Sequence, residues 1–146
     1  MSDELIGSWK LLIWQQIAAD GSKSYPFGED PEGLLIYAPD GYMAVQMLTV
    51  NRPQLQTTSA TGGSIEERAA AYSSCLAYFG KYQVVDGVVI HSVAASLFPN
   101  WSNTEQHRPY TLEDNRLTLR TPMGPGVTVE NEIIWERLDI RLDIEI

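Results

Sequence analysis

The chain has 146 residues, 44% of them hydrophobic, with 10 basic against 19 acidic side chains and a formal charge of −9. That is one domain's worth of chain, able to build a full core without metal or disulfide. The charge disfavours nucleic acid, whose binding rests on counterions displaced by Lys and Arg, and it equally disfavours an anionic membrane surface.

No apolar run reaches the length of a bilayer span, and the amino-terminal stretch lacks the apolar segment of a secretory signal. The single cysteine, Cys75, has no second cysteine to bridge, so a reducing cytoplasm is the expected compartment. The first strand is expected over residues 5–17, LIGSWKLLIWQQI. A period of two puts Trp9, Leu11, Ile13 and Gln15 on one face. Trp14 is then expected outside the sheet or beneath a helix. Gly7 permits close approach of another backbone or side chain. Near the far end, Trp135-Glu136-Arg137 can answer it. If first and last strands pair, Arg137 lays its guanidinium on Trp9, a contact worth roughly 0.5–2 kcal/mol, and one end of the fold is plugged.

Ala19-Asp20-Gly21-Ser22 forms a turn, and Tyr25-Pro26-Phe27-Gly28 an irregular return, since proline cannot donate in a central ladder. The second strand spans 33–38 and ends at Pro39-Asp40-Gly41, a hairpin turn in which proline presets φ and glycine takes the left-handed position. The third strand, 42–50, has one face of Tyr42, Ala44, Gln46 and Leu48 and another of Met43, Val45, Met47 and Thr49. Ser64-Ile65-Glu66-Glu67 has the form of a capping box. It predicts a helix over 65–76, with Ile65, Ala69, Tyr72 and Leu76 as its apolar stripe. Further strands are expected over 77–85, 88–98, 105–112, 116–121 and 127–138. The tail, 139–146, alternates Ile140, Leu142, Ile144 and Ile146 with charges, the pattern of an extra edge strand, a homodimer contact or a poorly ordered end.

Eight apolar runs separated by turn signals predict an all-β fold: an antiparallel eight-stranded barrel with one short helix, forming a single domain over 1–146.

The residues also carry a resemblance. Gly7-Ser8-Trp9, the run from Gly33 to Met43, Tyr78-Phe79-Gly80-Lys81-Tyr82, Ile90-His91-Ser92-Val93, Pro99-Asn100-Trp101, Gln106, Arg108 and Trp135-Glu136-Arg137 stand in an order that resembles the bacterial and fungal lipocalin-like domain family. The resemblance runs from about Leu5 to Leu138. It implies a calyx whose cavity takes a small, mostly apolar molecule. Some relatives are cyclases or isomerases of natural-product pathways. Without a signal peptide or a disulfide pair, the chain departs from the secreted lipocalins.

His91 shares its strand face with Val89, Val93, Ala95 and Leu97. It is either a general acid or base with a pKa near neutrality or a histidine satisfied by an internal hydrogen bond. Tyr78 and Tyr82 lie on one face with Gly80 between them, as a pocket floor would use phenols. Gln46, Gln106 and Arg108, if inward, orient a carbonyl or enolate, and Arg108 offsets developing negative charge. In the sixth strand the resemblance favours Gln106, Arg108 and Tyr110 as the inward set over His107 and Pro109. Trp101 is placed at a lip of the mouth. Tyr42 and Trp135 complete the ligand-binding set with Gln46, Tyr78, Tyr82, His91, Trp101, Gln106 and Arg108. His91, Arg108, Tyr78 and Tyr82 are the catalytic candidates. Cys75 reads as a small apolar filler late in the helix.

No metal-ligand spacing, P-loop, dinucleotide fingerprint or nucleophile elbow is present, so no metal or cofactor is expected. Three readings stay open: a pocket for an apolar or polyunsaturated small molecule; a cofactor-free cyclase or isomerase acting by proximity; and an interaction module using the tail by strand addition.

Overall fold

A computed structural model describes residues 3–138. The tail of 139–146, with its edge-strand and dimer readings, lies outside the described residues. The strands are β1 (Gly7–Ala18), β2 (Lys23–Ser24), β3 (Glu32–Tyr37), β4 (Tyr42–Leu48), β5 (Cys75–Val85), β6 (Val88–Ser96), β7 (Glu105–Glu113), β8 (Arg116–Thr121) and β9 (Val129–Arg137). One helix, α1 (Ile65–Ser73), lies between β4 and β5. Every strand pairing is antiparallel, and β1 pairs with β9 to close the sheet. The two residues of β2 only extend the far end of β1, so the barrel is closed by eight strands.

Turn chemistry sets the hairpins. Gly41 has φ +92° and donates to the Ala38 carbonyl at 3.1 Å, while the Asp40 carboxylate takes the Tyr42 N–H. Asp86 and Gly87 both have positive φ, +49° and +76°, as the tight turn between β5 and β6 demands.

The closed end is built as the sequence predicts. Trp9 is fully buried, and Cζ of Arg137 stands 4.2 Å from its ring centroid. The guanidinium also donates to the carbonyls of Ile6 (2.8 Å) and Glu4 (2.6 Å), and the Trp9 indole donates to the carbonyl of Leu5. Gly7 has φ +136°, and a Cβ there would stand 3.1 Å from Nη1 of Arg137. The residues just before β1 are thus folded under the barrel as its floor.

Two bulges change what period-two counting predicts. The first lies between Leu11 and Ile13, where β1 carries one residue more than β9. An extra residue exchanges the faces beyond it. Trp14 and Gln16 therefore turn into the barrel, opposite Ile133 and Asn131. The second lies opposite Phe79 and Gly80 of β5, where β6 carries one residue more between Val93 and Ala95, so Ala95 and Leu97 turn to the outer face instead of sharing that of His91. A Cβ on Gly80 would overlap the Ser92 carbonyl oxygen of β6. Gly80 is thus needed for the backbone approach at the bulge, rather than to clear space between two phenols.

The capping box of α1 is present: Ser64 Oγ accepts from the Glu67 N–H, and Glu67 Oε1 accepts from the Ser64 N–H. The helix is shorter than the predicted 65–76. At Ser74 the hydroxyl bonds back to the Ala71 carbonyl, and the chain turns into β5, so Cys75 and Leu76 belong to that strand. Among its described residues none is buried, and Ile65 and Tyr72 are open to solvent. Of the predicted stripe only Leu76 packs against the core, and it does so from β5. Instead α1 is tied down by polar bonds, from Arg52 to the Ala71 carbonyl and Ser74 Oγ and from the Thr49 N–H to the Ser74 carbonyl. These anchors set it beside the end of the barrel opposite Trp9.

Candidate functional site

The barrel interior is filled near Trp9 and hollow above it. The hollow is a cavity of about 400 Å³, with Trp14, Trp101, Trp135 and Tyr78 among its walls and Leu35, Val45, Met47 and Leu119 between them. A larger depression of about 540 Å³ lies on the outer face of β3 to β6, floored by Leu34, Ile36, Phe79 and Leu97. It is shallow and gathers no cluster of functional polar groups, so the inner cavity is where chemistry converges.

At the wall of the cavity sits His91, 1% exposed, held between two phenols. Its Nε2 is 2.6 Å from Tyr37 Oη, and its Nδ1 is 2.7 Å from Tyr78 Oη. Burial, and then the positive charge of Arg108, push His91 down to about 3. The imidazole is therefore neutral at pH 7, with one proton for two phenols. Burial pushes the Tyr78 phenol up to about 12 against the opposing pull of Arg108, and burial likewise raises the Tyr37 phenol well above its usual range. The phenols are fully protonated at neutral pH.

Arg108 comes from β7, with its guanidinium carbon 6.0 Å from the Trp101 ring centroid. Its nitrogens donate to the His107 carbonyl at 3.1 Å and to Gln106 Oε1 at 3.2 Å. Gln106 in turn donates to Thr104 Oγ1. Tyr78 and Trp101 meet edge to face at 5.8 Å between ring centroids. The Trp135 indole, 1% exposed, has no hydrogen-bond partner for its Nε1–H among the described residues. On the other wall Asn131 Oδ1 accepts from Trp14 Nε1 (2.9 Å) and Gln16 Nε2 (3.2 Å).

Of the residues singled out in the sequence, Tyr78, His91, Trp101, Gln106, Arg108 and Trp135 line this one cavity. Three others lie elsewhere. Tyr42 and Gln46 are on the outer face of β4, because Met43, Val45 and Met47 are the residues that alternate into the core. Tyr82 is buried but sits toward the closed end, donating to the Ala38 carbonyl, with its ring tilted against that of Tyr37 at 4.6 Å between centroids. Four residues along a strand from Tyr78 is about 13 Å, enough to carry it past the cavity floor. Sequence reasoning missed two participants. Tyr37 is in phase with the buried Leu35, and that alternation was a usable signal. Trp14 had no such signal, since the bulge that turns it inward leaves no mark in composition.

A closed antiparallel barrel with a plugged floor, an aromatic-walled cavity and a polar cluster on one wall is a calyx, the architecture of small-ligand barrels. The lipocalin-like domain family matches residues 6–138, and the chain belongs to that family. It is similar to the 4'-hydroxy-3'-methoxypropiophenone carrier protein ppsC of Aspergillus oryzae, at 31% identity over 107 residues, which cover 66% of this chain and 96% of that one. Among solved structures, a protein of Bacteroides eggerthii aligns over 92% of this chain and 100% of its own, with 13% identity and a TM-score of 0.49. A mutant of the fluorescent protein UnaG aligns over 94% and 98%, with 13% identity and a TM-score of 0.42. No helix among the described residues is long and apolar enough to cross a membrane.

Proposed function

We propose that this protein is a carrier of a small aromatic or polyunsaturated molecule, held inside the barrel. The observation that supports this reading is the cavity itself. At about 400 Å³ it falls in the range that encloses a compact organic ligand, and aromatic rings line much of it. The cargo named for the Aspergillus relative, an aryl ketone with one hydroxyl and one methoxyl, is a molecule of the right kind.

A cofactor-free cyclase or isomerase would use the same cavity. The geometry offers it less. Both nitrogens of His91 are engaged by phenols, and its proton affinity is too low for a general base at pH 7. Carrying asks only for enclosure and a few polar contacts.

Calorimetric titration with 4'-hydroxy-3'-methoxypropiophenone tests the proposal. Binding near micromolar, roughly −8 kcal/mol, is expected. Met47→Trp, which fills the cavity, should abolish it in a protein that still folds by circular dichroism. Phe79→Ala, which alters only the outer depression, should not change it. Loss of binding in the Phe79 variant, with none in the Met47 variant, would move the site to the outer face and refute the carrier reading of the cavity.

A further inference from the structure

The protons around His91 can be assigned from what burial forbids. The imidazole is neutral and faces a phenol at each nitrogen, so it donates to one and accepts from the other. Tyr37 is wholly buried, and among the described residues its hydroxyl meets only His91. Were Tyr37 the acceptor, its own O–H would be left without a partner in the core, which is costly. Tyr37 therefore donates to Nε2, and His91 carries its proton on Nδ1 and donates to Tyr78. The Tyr78 hydroxyl has already accepted, and its remaining proton is free for the cavity that Tyr78 lines.

The rest of that wall has the same sense. Arg108 is 9% exposed, and among the described residues no carboxylate lies within salt-bridge distance of it. Its partners are two neutral oxygens, so a buried positive charge stands without a counter-charge. The Trp135 N–H is a further unpaired donor on a ring that lines the cavity. Beside Arg108 the Gln106 Oε1 is already taken by the guanidinium, and on the other wall Asn131 Oδ1 is taken by Trp14 and Gln16, which leaves Gln16 Oε1 as an amide acceptor on that other wall only. The wall offers protons and positive charge, with those acceptors spent.

We infer that the cavity selects an oxyanion on an aromatic body, a phenolate or carboxylate whose charge faces Arg108 and whose oxygen accepts from Tyr78. The inference rests on the carrier reading of the same cavity. His91 then acts as a positioning residue: it holds the Tyr78 proton toward the ligand. A neutral ligand of the same shape would fill the hollow and leave the charge of Arg108 unmatched.

The test compares 4'-hydroxy-3'-methoxypropiophenone with its methyl ether at the 4'-hydroxyl, which keeps the body and cannot ionise. Affinity and the absorption band of the ionised phenol are followed against pH in one titration. The wild-type protein is expected to bind the phenol about tenfold or more tighter than the ether. It should also ionise the bound phenol at a pH at least about one below that of the free compound. Arg108→Gln should lose both effects, so that phenol and ether bind within about twofold of each other. Tyr78→Phe should lose several-fold in affinity for the phenol alone. If phenol and ether bind equally and no phenolate band appears, the oxyanion inference is overturned and the carrier reading stands. If wild type binds neither, both fall. The wild-type comparison needs no variant, so a poorly folded Arg108→Gln protein does not weaken it.

Discussion

Acid should destabilise this protein through one residue. His91 is pushed down to about 3 in the folded state, while its value in the unfolded chain is near 6.5. Between those two values the unfolded state binds a proton that the folded state refuses, so stability falls as pH drops. The contribution is complete above pH 6.5 and is lost progressively toward pH 3. Each tenfold change in proton affinity is 1.36 kcal/mol, so moving from pH 6.5 to pH 5 should cost about 2 kcal/mol. In a domain of this size that corresponds to a fall in Tm of roughly 5–8 °C. His91→Gln removes the titration, while every other titrating group is shared by the two proteins. The assay is urea unfolding at pH 7, 6 and 5 for both proteins, followed by tryptophan fluorescence, with m checked for constancy. The wild-type curve should fall by about 2 kcal/mol more than that of His91→Gln. Parallel curves would refute the buried, neutral histidine and the proton assignment that depends on it.

Trp9→Ala removes the floor of the barrel and should cost about 3–5 kcal/mol in chemical denaturation. Arg137→Ala should lower Tm while the folded fraction keeps its affinity for aryl ketone, because the Trp9–Arg137 stack lies outside the cavity. Gly80→Ala should unfold the protein or lower its stability by more than about 3 kcal/mol, since Cβ would overlap backbone across the β5–β6 bulge; a wild-type melting curve would remove that bulge from the account. Hydrogen exchange should show α1 opening before the barrel, as a helix with no buried residue must, and Ser64→Ala should hasten its exchange through the loss of a cap worth about 1 kcal/mol.

The fold was legible because its signals are local. Asp86-Gly87 and Pro39-Asp40-Gly41 specify hairpins wherever they occur, and Ser64 with Glu67 specifies a helix start. Closure was legible from two distant words, Gly7-Ser8-Trp9 and Trp135-Glu136-Arg137, whose shapes fit each other. The errors arose where one residue changes phase. Counting in twos along β1 fails at Leu11–Ile13, because nothing in the letters says that β9 lacks a partner residue there. Counting along β4 gave two consistent faces, and only the neighbours decide that Met43, Val45 and Met47 go in and Tyr42 and Gln46 stay out. The set chosen could have been settled by composition, since three large apolar side chains outweigh a glutamine and a tyrosine. Helix α1 failed differently: Ile65 and Tyr72 have helical spacing yet no core beneath them.

The central claim is that ligand sits inside the barrel, above its floor. The chain has four tryptophans, and three of them, Trp14, Trp101 and Trp135, line the cavity, while Trp9 is buried beneath it against Arg137. Their indole N–H resonances are therefore four separate reporters in one nitrogen-15 correlation spectrum. On titration with 4'-hydroxy-3'-methoxypropiophenone, the signals of Trp14, Trp101 and Trp135 should move and that of Trp9 should stay. Movement of Trp9 with the other three still, or saturable binding that moves none of the four, would place the ligand outside the calyx and contradict the account.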